Sequence, residues 1–137
     1  MAQATRTAGC GATEARARLR TAEAYLETAE LVIDEATKKE FSNVAAGLAV
    51  LAGVAASDAV CCVRLGRHHR GEDHRGAGAL LDQATPDGRK LATTLARLLD
   101  IKDTAHYGTS LVDTRTARNA IRWATLLVER ARQEVER

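Results

Sequence analysis

Two charged residues stand where helical spacing asks for apolar ones. Asp58 falls in the series Phe41, Val44, Leu48, Leu51, Ala55, Asp58, Cys62 and Leu65, and Lys102 falls in the series Leu91, Leu95, Leu98, Lys102 and Ala105. A charge buried alone on such a face is costly, so each needs a partner or a solvated pocket. One solution is an ion pair between Asp58 and Lys102, and another lets Lys102 carry its ammonium out to water from the end of its helix. The solution that bears on function is a polar cleft between the two helices. Tyr107 stands at the end of the Lys102 helix, with His106 before it and Gly108 after it. An ammonium, an imidazole and a phenol at one helix terminus suit a phosphate, whereas a Tyr alone there is a packing edge with its hydroxyl in water. His74, in the first turn of a short helix, is expected to close over the same cleft, with Asp103 beside Lys102.

The polar stretch from Gly66 to Gly78 has its own chemistry to weigh. His68, His69, Asp73 and His74, with Cys61 and Cys62 nearby, are metal-ligand types. Their spacing is not a zinc signature, because no Cys-x-x-Cys exists and no His-x-x-x-His is accompanied by a carboxylate. No metal and no cofactor are therefore expected. Cys61 and Cys62, on an apolar helix, read as core fillers rather than nucleophiles. Arg115, Arg118 and Arg122 share one side of the last helix and, with Arg64, Arg67, Arg70 and Arg75, make either a basic strip for RNA phosphates or ordinary solvated surface. No glycine-rich phosphate loop, dinucleotide fingerprint or Ser-His-Asp ordering is present.

The elements that must position these residues are helices. Ala15, Leu19, Ala22, Leu26, Ala29 and Ile33 recur three and four apart, which predicts a first helix from about residue 13 to Ala36. The Phe41 series predicts a long second helix of about 28 residues. A short helix from about Asp73 to Gln83 places Leu80 and Leu81 inward. Thr85 as N-cap and Pro86 in the first turn start the fourth helix, which Gly108 stops. After a loop through Ser110 to Asp113, the last helix buries Ala117, Ala120, Ile121, Ala124, Leu127, Val128, Ala131 and Val135. Residues 1–12 are expected to be a flexible terminus and residues 13–137 one domain. Short connections favour an antiparallel up-and-down bundle of four long helices plus one short one.

Composition agrees with an all-α class. The 137 residues are 45% hydrophobic and 28% charged but only 3% aromatic, with one proline. That argues against disorder and against a β-rich fold. Twenty Lys and Arg against eighteen Asp and Glu leave +2, unlike the strong basic excess of a dedicated duplex-binding protein. Val44 to Val63 is long enough to span a bilayer, but Ala and Gly supply much of its apolarity, and Asp58 at mid-membrane costs about 2.5–3.5 kcal/mol. It reads as a helix enclosed by protein. Three cysteines, an odd number, and a first dozen residues with no signal-peptide core suggest a reducing cytoplasm.

The run Leu99-Asp-Ile-Lys-Asp-Thr-Ala-His-Tyr-Gly108, followed by Asp113 and the Ala-rich helix Thr116 to Val135, resembles the last two helices of the HEPN superfamily. The Gly53-Val-Ala-Ala-Ser-Asp-Ala-Val-Cys-Cys62 core, the Arg-Leu-Gly66 ending and Glu72-Asp73-His74 are also similar to small stand-alone HEPN proteins. The resemblance covers residues 15–135. It implies a homodimer, often encoded with a minimal nucleotidyltransferase partner, and includes metal-independent ribonucleases as well as nucleotide-binding and noncatalytic members. The ribonuclease motif is Arg, a polar residue, three to five further residues, then His, at the end of the penultimate long helix. Here its Arg falls on Lys102, its polar residue on Asp103 and its His on Tyr107, while His106 is one residue early, about 100° around the helix. Lys keeps the charge without the bidentate fork, and Tyr is a poor base near neutrality. The resemblance implies a homodimeric nucleotide- or RNA-binding protein without catalysis. The alternatives are a metal-independent endoribonuclease using Lys102 with His106, Tyr107 or His74, and a dimerising module that recruits a partner protein.

Overall fold

A computed structural model describes residues 6–35, 38–71 and 74–137. It contains five helices, α1 (Ala12–Asp34), α2 (Lys39–Leu65), α3 (Arg75–Ala84), α4 (Gly88–His106) and α5 (Thr114–Val135), and a small antiparallel ribbon of β1 (Thr7–Gly9) and β2 (Arg67–His69). The class is all-α, as composition suggests. On α1 the six residues of the predicted stripe, Ala15 through Ile33, are those buried. Its end near Ala36 and the start of the short helix at Asp73 fall outside the described residues.

Local sequence explains the boundaries. Gly66 adopts φ 70°, a left-handed position that glycine takes without steric penalty, and its N–H donates to the Cys62 carbonyl to finish α2. Asp113 caps α5 by accepting a hydrogen bond from the Thr116 N–H at 2.7 Å. The start of α4 differs from expectation. Pro86 lies before the helix and Asp87 is its N-cap: the Thr85 hydroxyl donates to the Asp87 carboxylate at 2.7 Å instead of accepting from a helix amide N–H. Gly88 then passes so close to α3 that a Cβ there would lie 2.4 Å from the Leu81 and Asp82 carbonyl oxygens. Gly88→Ala is expected to lower unfolding free energy by about 1–3 kcal/mol in urea denaturation, since backbone cannot swing aside as a side chain can.

Packing follows from α2. Seventeen of its 27 residues are buried, most of them Ala, Gly or Val, so neighbouring helices approach closely. Ser42 meets Thr114 at 2.9 Å near the start of α2 and Arg64 meets Glu134 near its end, which makes α2 and α5 parallel. Gly47 faces His106 and Gly53 faces Leu98, which makes α4 antiparallel to α2. Glu23 on α1 pairs with Arg132 at 2.8 Å, while Ile33 and Ala117 share a core cluster, so α1 is antiparallel to α5. The long helices thus alternate up and down along the chain. Among the described residues α2 is the one helix long and apolar enough to cross a membrane, and 83% of its apolar window is buried against the rest of the chain.

The amino-terminal segment corrects two expectations. Residues 7–9 are not frayed: they pair in register with β2, Thr7 opposite His69 and Gly9 opposite Arg67. Cys62 is not a simple core filler either, because it forms a disulfide with Cys10, with Cα atoms 5.3 Å apart. The odd cysteine count leaves Cys61 as the buried free thiol. Disulfides are rare in cytoplasmic proteins, so the cysteines give no support to a cytoplasmic location.

Candidate phosphate-binding cleft

The helix register decides which predicted site residues can meet. Gly53 faces Leu98 and Gly47 faces His106, so Lys102 lies opposite the turn around residue 50. Asp58 is then about 12 Å further along the axis, at about 1.5 Å per residue. The expected Asp58–Lys102 ion pair is therefore replaced. Asp58 Oδ2 accepts hydrogen bonds from Arg18 Nε and Nη2 of α1, at 3.2 and 3.0 Å, and its Oδ1 lies 4.0 Å from His68 Nδ1 of β2. Burial pushes the Asp58 carboxyl above its ordinary value, against the opposing pull of Arg18 and His68. His68 Nδ1 donates to the neighbouring His69 carbonyl at 2.8 Å within β2, and its approach to Asp58 brings the ribbon against α2.

Lys102 instead shares a small polar cleft with His74, Arg75, Leu99 and Asp103, of about 100 Å³. α3 supplies His74 as its N-cap and Arg75 as its first residue, while α4 supplies the rest. Arg75 also pairs with Asp100 at 2.9 Å on the exposed rim. Two permanent cations, a histidine and the positive end of α3 meet there beside two carboxylates, Asp103 in the lining and Asp100 on Arg75, and the cations with the helix end are the groups an anion of phosphate size would face. Leu99 supplies the apolar wall.

The remaining candidates are separated from this cleft. Tyr107 is 77% exposed beyond the end of α4 and meets His106 edge-on, with centroids 5.9 Å apart. His106 lies over Gly47 in a different, largely apolar groove of about 290 Å³ lined also by Val44, Leu48 and Leu51. Lys102, His106 and Tyr107 therefore do not form one constellation. Arg64 leaves the basic strip, because its guanidinium forks onto the carboxylate of Glu134, which is 2% exposed. Arg67, Arg115, Arg118 and Arg122 are exposed, the last donating to Asn119. Burial and the Asp58 charge push the Cys61 thiol up to about 12, so it is not a nucleophile. Among the described residues no three His, Cys, Asp or Glu side chains gather as a metal site.

Arg18 and Arg75 are the site residues that the sequence signals least. Arg75 belongs to the arginine-rich run after α2, but its place in the cleft depends on where α3 starts. Arg18 sits among other charged residues on α1 and carries no distinguishing pattern. No family model and no curated protein matches the sequence.

Proposed function

We propose that the protein is a HEPN-like, noncatalytic nucleotide- or RNA-binding homodimer whose cleft holds a phosphate. The observation that carries this reading is the meeting of His74, Arg75 and Lys102 at the amino-terminal end of α3. Lys102 acts as the point charge on the phosphate, Arg75 as the planar donor, and His74 as a further N–H donor. Asp103 at the rim suits a sugar hydroxyl. Leu31 and Phe41 leave 62% and 45% of their surface in water beside one another at the α1–α2 end, and they supply the apolar face for a second copy. A nucleotidyltransferase-type partner follows from the resemblance alone.

One observation favours the endoribonuclease alternative, that His74 stands in the same cleft as Lys102. There Lys102 would stabilise phosphate charge and His74 would take the 2′-hydroxyl proton. The two readings separate on one set of samples. Fluorescently labelled adenosine monophosphate should bind wild type and bind Lys102→Ala about tenfold more weakly, and mixed-sequence RNA in excess chelator should stay intact. No binding by folded wild type would overturn the binding reading. Cleavage that persists in chelator and disappears in both Lys102→Ala and His74→Ala would replace it with the endoribonuclease.

A further inference from the structure

The open end of the ribbon carries an arrangement that the cleft does not explain. The register that sets Thr7 opposite His69 sets Arg6 opposite Arg70, and the Arg70 N–H donates to the Arg6 carbonyl at 2.8 Å. Residues directly opposite in an antiparallel pair project to the same side, and like charges there repel. Both arginines are exposed, and among the described residues neither has a carboxylate partner. By contrast Arg18 and Arg64, near the same end of α2, are each taken up by a buried acid. Arg6, Thr7 and Arg70 line a polar cavity of about 270 Å³, room enough for a tetrahedral oxyanion between two guanidinium groups. An anion there turns the cross-strand repulsion into two charge-assisted contacts, with Thr7 between them in the cavity wall.

The ribbon tip also leads to the cleft. His69 precedes Arg70, and its ring centroid is 6.3 Å from that of His74, which lines the cleft with Lys102. Both ring nitrogens of His69 are buried and, among the described residues, have no hydrogen-bond partner. The buried ring of His69 thus links the ribbon tip at Arg70 to His74 and Lys102 of the cleft.

We propose that Arg6, Thr7 and Arg70 form a second phosphate position, and that ribbon tip and cleft hold different phosphates of one single-stranded RNA. The ribbon position stands on its own geometry, and its joining to the cleft rests on the function proposed above. A strand is favoured over a free mononucleotide because two separate anion positions, joined through the His69–His74 contact, match a repeating backbone.

The test uses oxidised full-length protein, a labelled mixed-sequence RNA of about sixteen nucleotides, a length within the range that single-strand sites cover, and labelled adenosine monophosphate. Anisotropy is read from low to high salt. Arg6→Gln/Arg70→Gln should bind RNA about tenfold more weakly, and the slope of log affinity against log salt should flatten by about 0.7–1.4, the counterions of one or two phosphates. The same variant should bind the mononucleotide as wild type does, whereas Lys102→Gln should weaken both ligands. Unchanged RNA affinity and slope in the ribbon variant would overturn the proposal and leave the cleft reading intact. If ribbon substitution weakens RNA while no mononucleotide binds wild type, the cleft reading falls and with it the one-strand arrangement. Circular dichroism on each variant separates lost binding from lost folding.

Discussion

Glu134→Ala lowers unfolding free energy by about 3 kcal/mol, read from the urea midpoint at neutral pH. Glu134 is 2% exposed at the end of α5, where Oε1 accepts from Arg64 Nη2 at 3.0 Å and from Arg130 Nη1 at 2.5 Å, and Oε2 accepts from Arg64 Nε. Arg130 also forks onto Asp87 at 3.0 and 3.1 Å, joining α2 and α5 to the α3–α4 turn. Removing the shared carboxylate leaves two guanidinium groups facing each other. Their side chains keep 30% and 21% of their surface in water, which places the loss at the lower end of the range for a broken buried pair. The network also sets an acid limit. Hydrogen bonds from Arg64 and Arg130 hold Glu134 down at about 2, and Arg130 and Thr85 hold Asp87 at about 2. Folded values below the ordinary ones mean that this stability is fully present above about pH 4.5 and is lost as pH falls toward 2. Glu134→Ala should therefore flatten the stability profile between those limits, and an unchanged profile would overturn the assignment.

Cys10→Ser produces the second large loss, about 2–4 kcal/mol in urea denaturation without reductant. The cross-link joins residues 52 apart in sequence, so its removal frees a long loop in the unfolded chain. In the native chain it leaves β1 held by a three-residue pairing and by the Cys10 N–H bond to the Gly66 carbonyl. Wild type treated with dithiothreitol should fall to the midpoint of the variant, and the variant should not respond to reductant. Equal midpoints for oxidised wild type and Cys10→Ser would overturn the prediction.

The helices were legible because their apolar residues recur three and four apart on every long element. The position of partners across helices was not. Asp58 was recognisable as a charge on an apolar face, yet its partner is Arg18 of α1, since interhelical register is a property of packing and leaves no mark in either stripe. Glu134 carried the same signal as Asp58: it follows Ala131 by one helical step on the buried face of α5. Reading that face through Val135 passed over it. The disulfide was obscured by adjacent cysteines on one helix and a third far away. The ribbon was obscured by strands of three residues, too short for an alternating pattern. His74, Lys102 and Asp103 of the expected cleft do line one cavity, because the α3–α4 hairpin is local in sequence, whereas His106 and Tyr107 turn away as α4 ends.

The small side chains of α2 divide the core into two kinds of position. A Cβ on Gly53 would lie 2.4 Å from a Leu98 methyl and 3.3 Å from a Leu127 methyl. Bulk in this interior is therefore supplied by leucines on α1, α3, α4 and α5, and space is supplied by α2. Mutational tolerance is correspondingly asymmetric: α2 resists enlargement, its neighbours resist truncation, and a larger residue on α2 is best accommodated by a smaller one directly across from it.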